Sequence, residues 1–266
     1  MKRTIAMLGF VVSLAPPVQA GSISITATQD ATYDGTTVTS SLTISNQGDE
    51  AAVSVVPKLR FGDKEVRGTL HDELVPGATV SDTLTLEVGE LQTGRWPFSL
   101  AVDYADGNQY PFQALQMAAI TVGSPSPATV AVPKMEADPL AAAGDLRVTV
   151  KNLSADPRQA SLSLHLPHGL EATKGGTEVV SLEPWGEREV VIPITNRTAL
   201  PGSRYPVFAT VEYDEGDTHH ALVAQSVVEI VSAENAVAVH GNRFWIGAAV
   251  LGGIFVLLLA WRGLRG

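Results

Sequence analysis

Asp214-Glu215-Gly216-Asp217-Thr218-His219-His220 places three carboxylates and two imidazoles within seven positions. Carboxylate oxygens suit calcium, and a His/Asp set suits zinc, so Asp214, Asp217, His219 and His220 are the candidate metal ligands. Two facts favour a solvated turn instead. The stretch Ala105-Asp106-Gly107-Asn108 has the same place in a repeat described below and reads as a hairpin turn. Adjacent histidines on a strand also point to opposite faces. No metal and no cofactor is expected.

Nucleophilic chemistry has little to stand on. The 266-residue chain has no cysteine, which excludes thiolate nucleophiles, disulfides, Cys-type zinc sites and cysteine-linked lipid. His71 stands beside Asp72 and Glu73, and His165 and His168 flank Leu166-Pro167. A hydroxyl, an imidazole and a carboxylate must converge in space to form a triad, and no spacing here requires that. Nucleophile-elbow, P-loop and dinucleotide patterns are absent, so the chain is not expected to be an enzyme. Among the aromatics, Trp185 has the best claim to exposure and is the candidate ligand-binding residue, able to stack on a sugar ring. Trp96 and Tyr205 start equivalent strands and read as core or rim. Asn152-Leu153-Ser154 and Asn196-Arg197-Thr198 fit the glycosylation sequon, although Asn46, equivalent to Asn152, suggests a strand-end turn role.

The formal charge of −10 opposes nucleic-acid binding. Setting aside Lys2, Arg3, Arg262 and Arg265 leaves 14 basic residues against 28 acidic ones, a formal −14 on the body of the chain. Residues 1–20 have the three parts of a secretory signal: basic Lys2 and Arg3, an apolar Thr4 to Leu14, and small residues at Val18-Gln19-Ala20. An uncleaved anchor is the alternative. Phe244 to Trp261 is an uncharged run of 18 residues, roughly 27 Å as a helix, with tryptophan near both ends and arginines following. These features predict a transmembrane helix at 244–261, a cytoplasmic tail at 262–266 and type I topology in the cytoplasmic membrane. The bulk of the chain is then periplasmic or extracellular. Ala248 with Gly252, and Ala249 with Gly253, give small-xxx-small pairs that could bring two helices together as a homodimer. A C-terminal sorting signal is a further alternative, although no LPxTG precedes Phe244.

The elements between these ends are written twice. Trp96 to Tyr104 aligns without a gap on Tyr205 to Tyr213, at an offset of 109. Leu74-Val75-Pro76 matches Leu182-Glu183-Pro184 at 108, and Leu42 to Asn46 matches Val148 to Asn152 at 106. Each copy alternates with a period of two. Val38, Leu42 and Ile44 share a face, as do Val53, Val55, Leu59 and Phe61, then Leu84, Leu86 and Val88. Phe98, Leu100, Val102 and Tyr104 are mirrored by Val207, Ala209, Val211 and Tyr213, and Val190, Ile192 and Ile194 alternate likewise. Such alternation between turn residues predicts an antiparallel sandwich of about seven strands per copy. Asp106-Gly107 predicts a hairpin with both turn residues at positive φ.

The second copy resembles the NEW3 type of immunoglobulin-like envelope module. Leu166-Pro167-His168-Gly169-Leu170, Ser181-Leu182-Glu183-Pro184, Val190 to Ile194, and Gly202 with Tyr205-Pro206-Val207 carry the likeness. The first copy is similar to the CARDB-type adhesion module through Ile44-Ser45-Asn46-Gln47-Gly48 and Leu74-Val75-Pro76-Gly77. These motifs encode turns and core positions, so the resemblance implies a fold and no chemistry. The second copy departs from it in having Trp185-Gly186 after Pro184.

The expected fold is all-β: two tandem immunoglobulin-like antiparallel β-sandwiches followed by one transmembrane helix. The expected boundaries are a signal peptide at 1–20, domain 1 at 21–123, a linker at 124–127, domain 2 at 128–231 and a juxtamembrane linker at 232–243. The expected function is non-catalytic, holding an envelope or membrane protein partner at the outer face of the cytoplasmic membrane. Carbohydrate or cell-wall binding is the alternative.

Overall fold

Polar and apolar residues alternate strand after strand, and the computed structural model turns that alternation into sheets with one wet and one dry face. It describes residues 21–173 and 175–232. The predicted signal at 1–20, the anchor at 244–261, its small-residue pairs and nearly all of the juxtamembrane linker lie outside those residues. Among the described residues, none is in a helix, and none forms a helix long and apolar enough to cross a membrane.

The first repeat folds as β1 (Ile25–Tyr33), β2 (Thr37–Asn46), β3 (Ala52–Phe61), β4 (Lys64–Arg67), β5 (His71–Leu74), β6 (Thr79–Glu87), β7 (Gly94–Ala105) and β8 (Pro111–Val122). One sheet runs β1-β2-β6. In the other, β7 pairs with β8 on one side and β3 on the other, and β3 also carries β4 and β5. Val38 and Leu42 of the first sheet pack on Leu59, Phe98 and Leu100 of the second, and Ile44 packs on Val55 and Val102.

The second repeat folds as β9 (Val130–Ala137), β10 (Ala143–Asn152), β11 (Arg158–His165), β12 (Leu170–Ala172), β13 (Thr177–Leu182), β14 (Glu187–Asn196), β15 (Arg204–Glu215) and β16 (Thr218–Glu229). Its sheets run β12-β14-β10-β9 and β13-β11-β15-β16. Val190, Ile192 and Ile194 face Val207, Ala209 and Val211 across a single core.

Three local expectations need correction. Each repeat has eight strands rather than seven, and the fourth differs between copies: β4 stays on β3, whereas β12 crosses to β14. Val53 leaves the expected face, because a bulge at Ser54 (φ 55°) turns Ala52 inward with Val55. The hairpin at Asp106-Gly107 is not a two-residue turn. The Asp106 carboxylate accepts from Asn108 and Tyr110 N–H, and Gln109 (φ 65°) takes the left-handed position.

The repeat shows most plainly at two asparagines. Asn46 and Asn152 end equivalent strands, and both are fully buried. Asn46 Nδ2 donates to Glu50 O at 2.8 Å and Leu74 O at 2.9 Å, while its Oδ1 accepts from Gly48 N at 3.0 Å. Asn152 Nδ2 donates to Asp156 O at 2.7 Å and Glu183 O at 3.0 Å, and its Oδ1 accepts from Ser154 N at 3.0 Å. Each amide closes the same turn, which accounts for the residue at Asn152 without a glycan.

Candidate functional site

The two modules are joined along one line. His219 at the start of β16 bridges Gly94 at the start of β7 in parallel register, so the two β3-to-β16 sheets run on as one nine-stranded sheet. His219 N–H donates to Thr93 O at 2.9 Å. Gly94 is required there: its φ is 152°, and a Cβ would lie 2.8 Å from both His219 N and His219 Cβ, and nearer still to the carbonyl oxygen. The Trp96 ring stacks on the His219 ring with centroids 3.8 Å apart and planes 16° from parallel, and the Phe61 ring lies 6.3 Å from the indole. Trp96 is therefore a rim residue of the first module that closes on the second. The Tyr110 hydroxyl adds a hydrogen bond to Thr198 O.

Charge is arranged around this stack. His219 Nδ1 lies 2.9 Å from Asp214 Oδ1, and Nε2 lies 3.3 Å from Glu212 Oε2. Gln92 Nε2 of the first module donates to the same Asp214 oxygen at 3.0 Å. Burial by itself pulls the His219 pKa down, but its hydrogen bonds to Glu212 and Asp214 outweigh that, and the pKa is raised. In the protonated form both ring nitrogens donate, and the imidazolium lies against the indole face.

Glu212 continues the network inward. Its Oε1 accepts from the Thr210 hydroxyl at 3.3 Å, and Thr210 Oγ1 is 3.1 Å from His165 Nε2. Burial lowers the His165 pKa, so this imidazole is neutral. Hydroxyl, imidazole and carboxylate do converge here, but Thr210 has no exposed surface and an acyl group cannot reach it. The outward face of β15 is dry at Phe208 and Thr210, where an isolated sandwich would be wet.

Of the four candidate metal ligands, the structure brings together Asp214 and His219 alone. Asp217 sits in the β15–β16 turn after Gly216 (φ 59°). His220 points the other way, stacked on Tyr213 with centroids 4.8 Å apart, and burial lowers its pKa. Among the described residues no group of three or more His, Asp or Glu is placed to hold a metal ion. Trp185 is 65% exposed in the expected turn, with φ 58°, held by its N–H to Ser154 O at 3.0 Å.

One surface has no motif to announce it. The outer face of β1-β2-β6 is a grid of hydroxyls: Thr28, Thr43 and Ser81 form one row, and Thr32, Thr39 and Thr85 another. Asp30, beside Ser41 and Thr83, is the one carboxylate among these paired rows. A shallow depression of about 660 Å³ lies over Thr28, Asp30, Ser41, Thr43, Ser81 and Thr83. The corresponding face of the second module carries Arg147, Lys151, Glu187 and Glu189. The signal was present in the sequence as Ser/Thr at alternate positions, but period-two reading looks for the apolar half.

Residues 21–107 match the CARDB family, so the likeness of the first copy to this family of immunoglobulin-like modules is borne out. No curated protein sequence matches the chain. Among solved structures, the chain is similar to the native conformation of Escherichia coli alpha-2-macroglobulin at 13% identity and a TM-score of 0.32, over 79% of this chain and 17% of that one. Salmonella alpha-2-macroglobulin reacted with methylamine is similar at 12% identity and a TM-score of 0.32, over 79% and 16%. Red sea bream transglutaminase is similar at 11% identity and a TM-score of 0.27, over 80% and 31%. The chain thus spans less than a third of each of these proteins.

Proposed function

We propose that the chain is a non-catalytic, single-pass envelope protein that presents two immunoglobulin-like modules at the outer face of the cytoplasmic membrane, to hold or position a protein partner. The observation that carries this reading is the seam. Stacking, a main-chain bond and a glycine with no room for a side chain hold the modules side by side, as suits a spacer with fixed faces. The hydroxyl, imidazole and carboxylate that meet at the seam hold one another, and the hydroxyl, Thr210, has no exposed surface. Membrane placement follows from the apolar run at 244–261 and the signal-like residues 1–20. Cross-linking in intact membranes followed by purification tests the reading: a stoichiometric protein partner is expected, and repeated recovery of the chain alone would end it.

A second reading, binding of carbohydrate or cell wall, is favoured by the exposure of Trp185. Wall-pellet binding that disappears in Trp185→Ala would select it over the first.

A further inference from the structure

Because one fold occurs twice, each module is a control for the other. In the second, the chain just after β9 closes on the outer end of β16 by main-chain bonds. Leu140 N–H donates to Glu229 O at 2.8 Å and Val231 N–H to Leu140 O at 3.0 Å, around a parallel bridge between Leu140 and Ile230. The equivalent seam of the first module lies between β1 and β8. Among the described residues no bridge or main-chain hydrogen bond joins those two strands, so β1 pairs only with β2 and β8 only with β7. Two main-chain edges face a common gap.

Natural edge strands are blunted by charge, proline or a bulge. β8 has none of these from Phe112 to Val122: no charged residue, no proline, and an unbroken register with β7. The gap is also lined by a polar group in want of a partner: the amide oxygen of Gln116 on β8 is buried without a hydrogen bond. Gln116 lies opposite Leu100, on the side of β8 that faces the sandwich interior. The matching position of β16, opposite Ala209, is Ala224.

The gap opens into a groove of about 520 Å³. Residues 23–27 and 113–117 form one wall, and Arg204, Tyr205, Phe208 and Gln225 of the second module form the other. The groove therefore exists only because the seam fixes the second module beside β8. Arg204 is the single charged residue lining it.

We propose that this groove receives an extended segment of a partner polypeptide, which adds to β8 as a strand. This names how the partner of the proposed function is held, and it rests on that reading. The five residues 113–117 offer about 17 Å of strand edge. Main-chain bonds would supply affinity, and alternate side chains would supply selectivity. One set faces the aromatic wall of Tyr205 and Phe208, and the other the small and amide side chains of Ala27, Ala114 and Gln116. The segment that fits is uncharged with alternate apolar residues, and acidic where it passes Arg204. A second copy of this chain fits less well, since β8 has no carboxylate to meet Arg204.

The test uses the full-length chain in mild detergent. The probe is an eight-residue synthetic peptide alternating threonine and valine, with one glutamate. Amide hydrogen exchange should slow at residues 23–27 and 113–117 when the peptide is added. A version N-methylated at alternate residues should bind at least about tenfold more weakly, since its main chain cannot pair. Arg204→Glu should weaken the glutamate peptide about fivefold and strengthen its lysine analogue. Met117→Glu should abolish binding, and Arg204→Glu serves alone should that variant misfold. Equal binding of the N-methylated peptide, protection elsewhere, or no binding would overturn the proposal. So would a concentration-dependent dimer that Met117→Glu disperses. Failure here, with membrane cross-linking still recovering a partner, would sink the groove and leave the scaffold reading intact.

Discussion

Gly94→Ala tests whether the seam holds the modules together. The new methyl would lie 2.8 Å from His219 N and Cβ, and these atoms belong to a paired strand that cannot swing aside as a flexible side-chain tip would. The strands must part. Parting them loses the Trp96–His219 stack, worth about 1 kcal/mol, and the main-chain bond to Thr93, worth about 1 kcal/mol. The exposed Gln92–Asp214 bond adds about 0.5 kcal/mol. The loss of about 2–3 kcal/mol raises the opening equilibrium roughly 30- to 150-fold. Because the chain has no cysteine, exposed Thr85 and Glu189 can be changed to cysteine and spin-labelled without background. Pulsed electron resonance should give one narrow distance in the parent and a broad, longer distribution in Gly94→Ala. An unchanged narrow distance would refute the idea that this contact sets the geometry.

Asn46→Ala and Asn152→Ala should each cost about 3 kcal/mol in urea unfolding, since each strands buried main-chain groups; a silent variant in either copy would break the equivalence drawn between them. Seam closure should depend on pH in two directions. The raised pKa of His219 gives a contribution that is full below about 6.5 and lost as pH climbs through its folded pKa. The lowered pKa of His165, which lies at the seam near Arg60, gives a contribution present above about 6.5 and lost as pH falls. His219→Gln should therefore flatten the alkaline limb of the spin-label distance profile and leave the acid limb; an unaltered alkaline limb would exclude His219 as its cause. Trp185→Ala should change thermal stability by no more than about 0.5 kcal/mol, the range for an exposed side chain. A larger loss would mean that the indole packs in solution.

The fold was largely readable because burial imposes period two. Val207, Ala209, Val211 and Tyr213 are buried as their spacing requires, and the offset of 106 places Asn46 on Asn152, whose hydrogen bonds match. The failures are local backbone choices. The Ser54 bulge moves one residue and flips Val53, and nothing in Ala52-Val53-Ser54-Val55 marks it. The switch of β12 to the opposite sheet is a choice between two edges that the same residues could satisfy. The seam was out of reach for a different reason. Gly94 and Trp96 are more than 120 positions from His219, and their contact depends on how two finished surfaces meet. Of the Asp214–His220 cluster, the opposed faces of the paired histidines were legible, whereas the indole waiting beneath His219 was not.

The twelve-rung pairing of β16 with β15 bears on how the molecule would carry tension. β16 is the last strand among the described residues, and a tug applied at its end runs along that strand's own axis. The rungs are then loaded abreast instead of being peeled in turn. At the strand's other end the His219–Gly94 bridge ties it to β7, so strain in β16 reaches the first module through that contact as well as through the covalent linker.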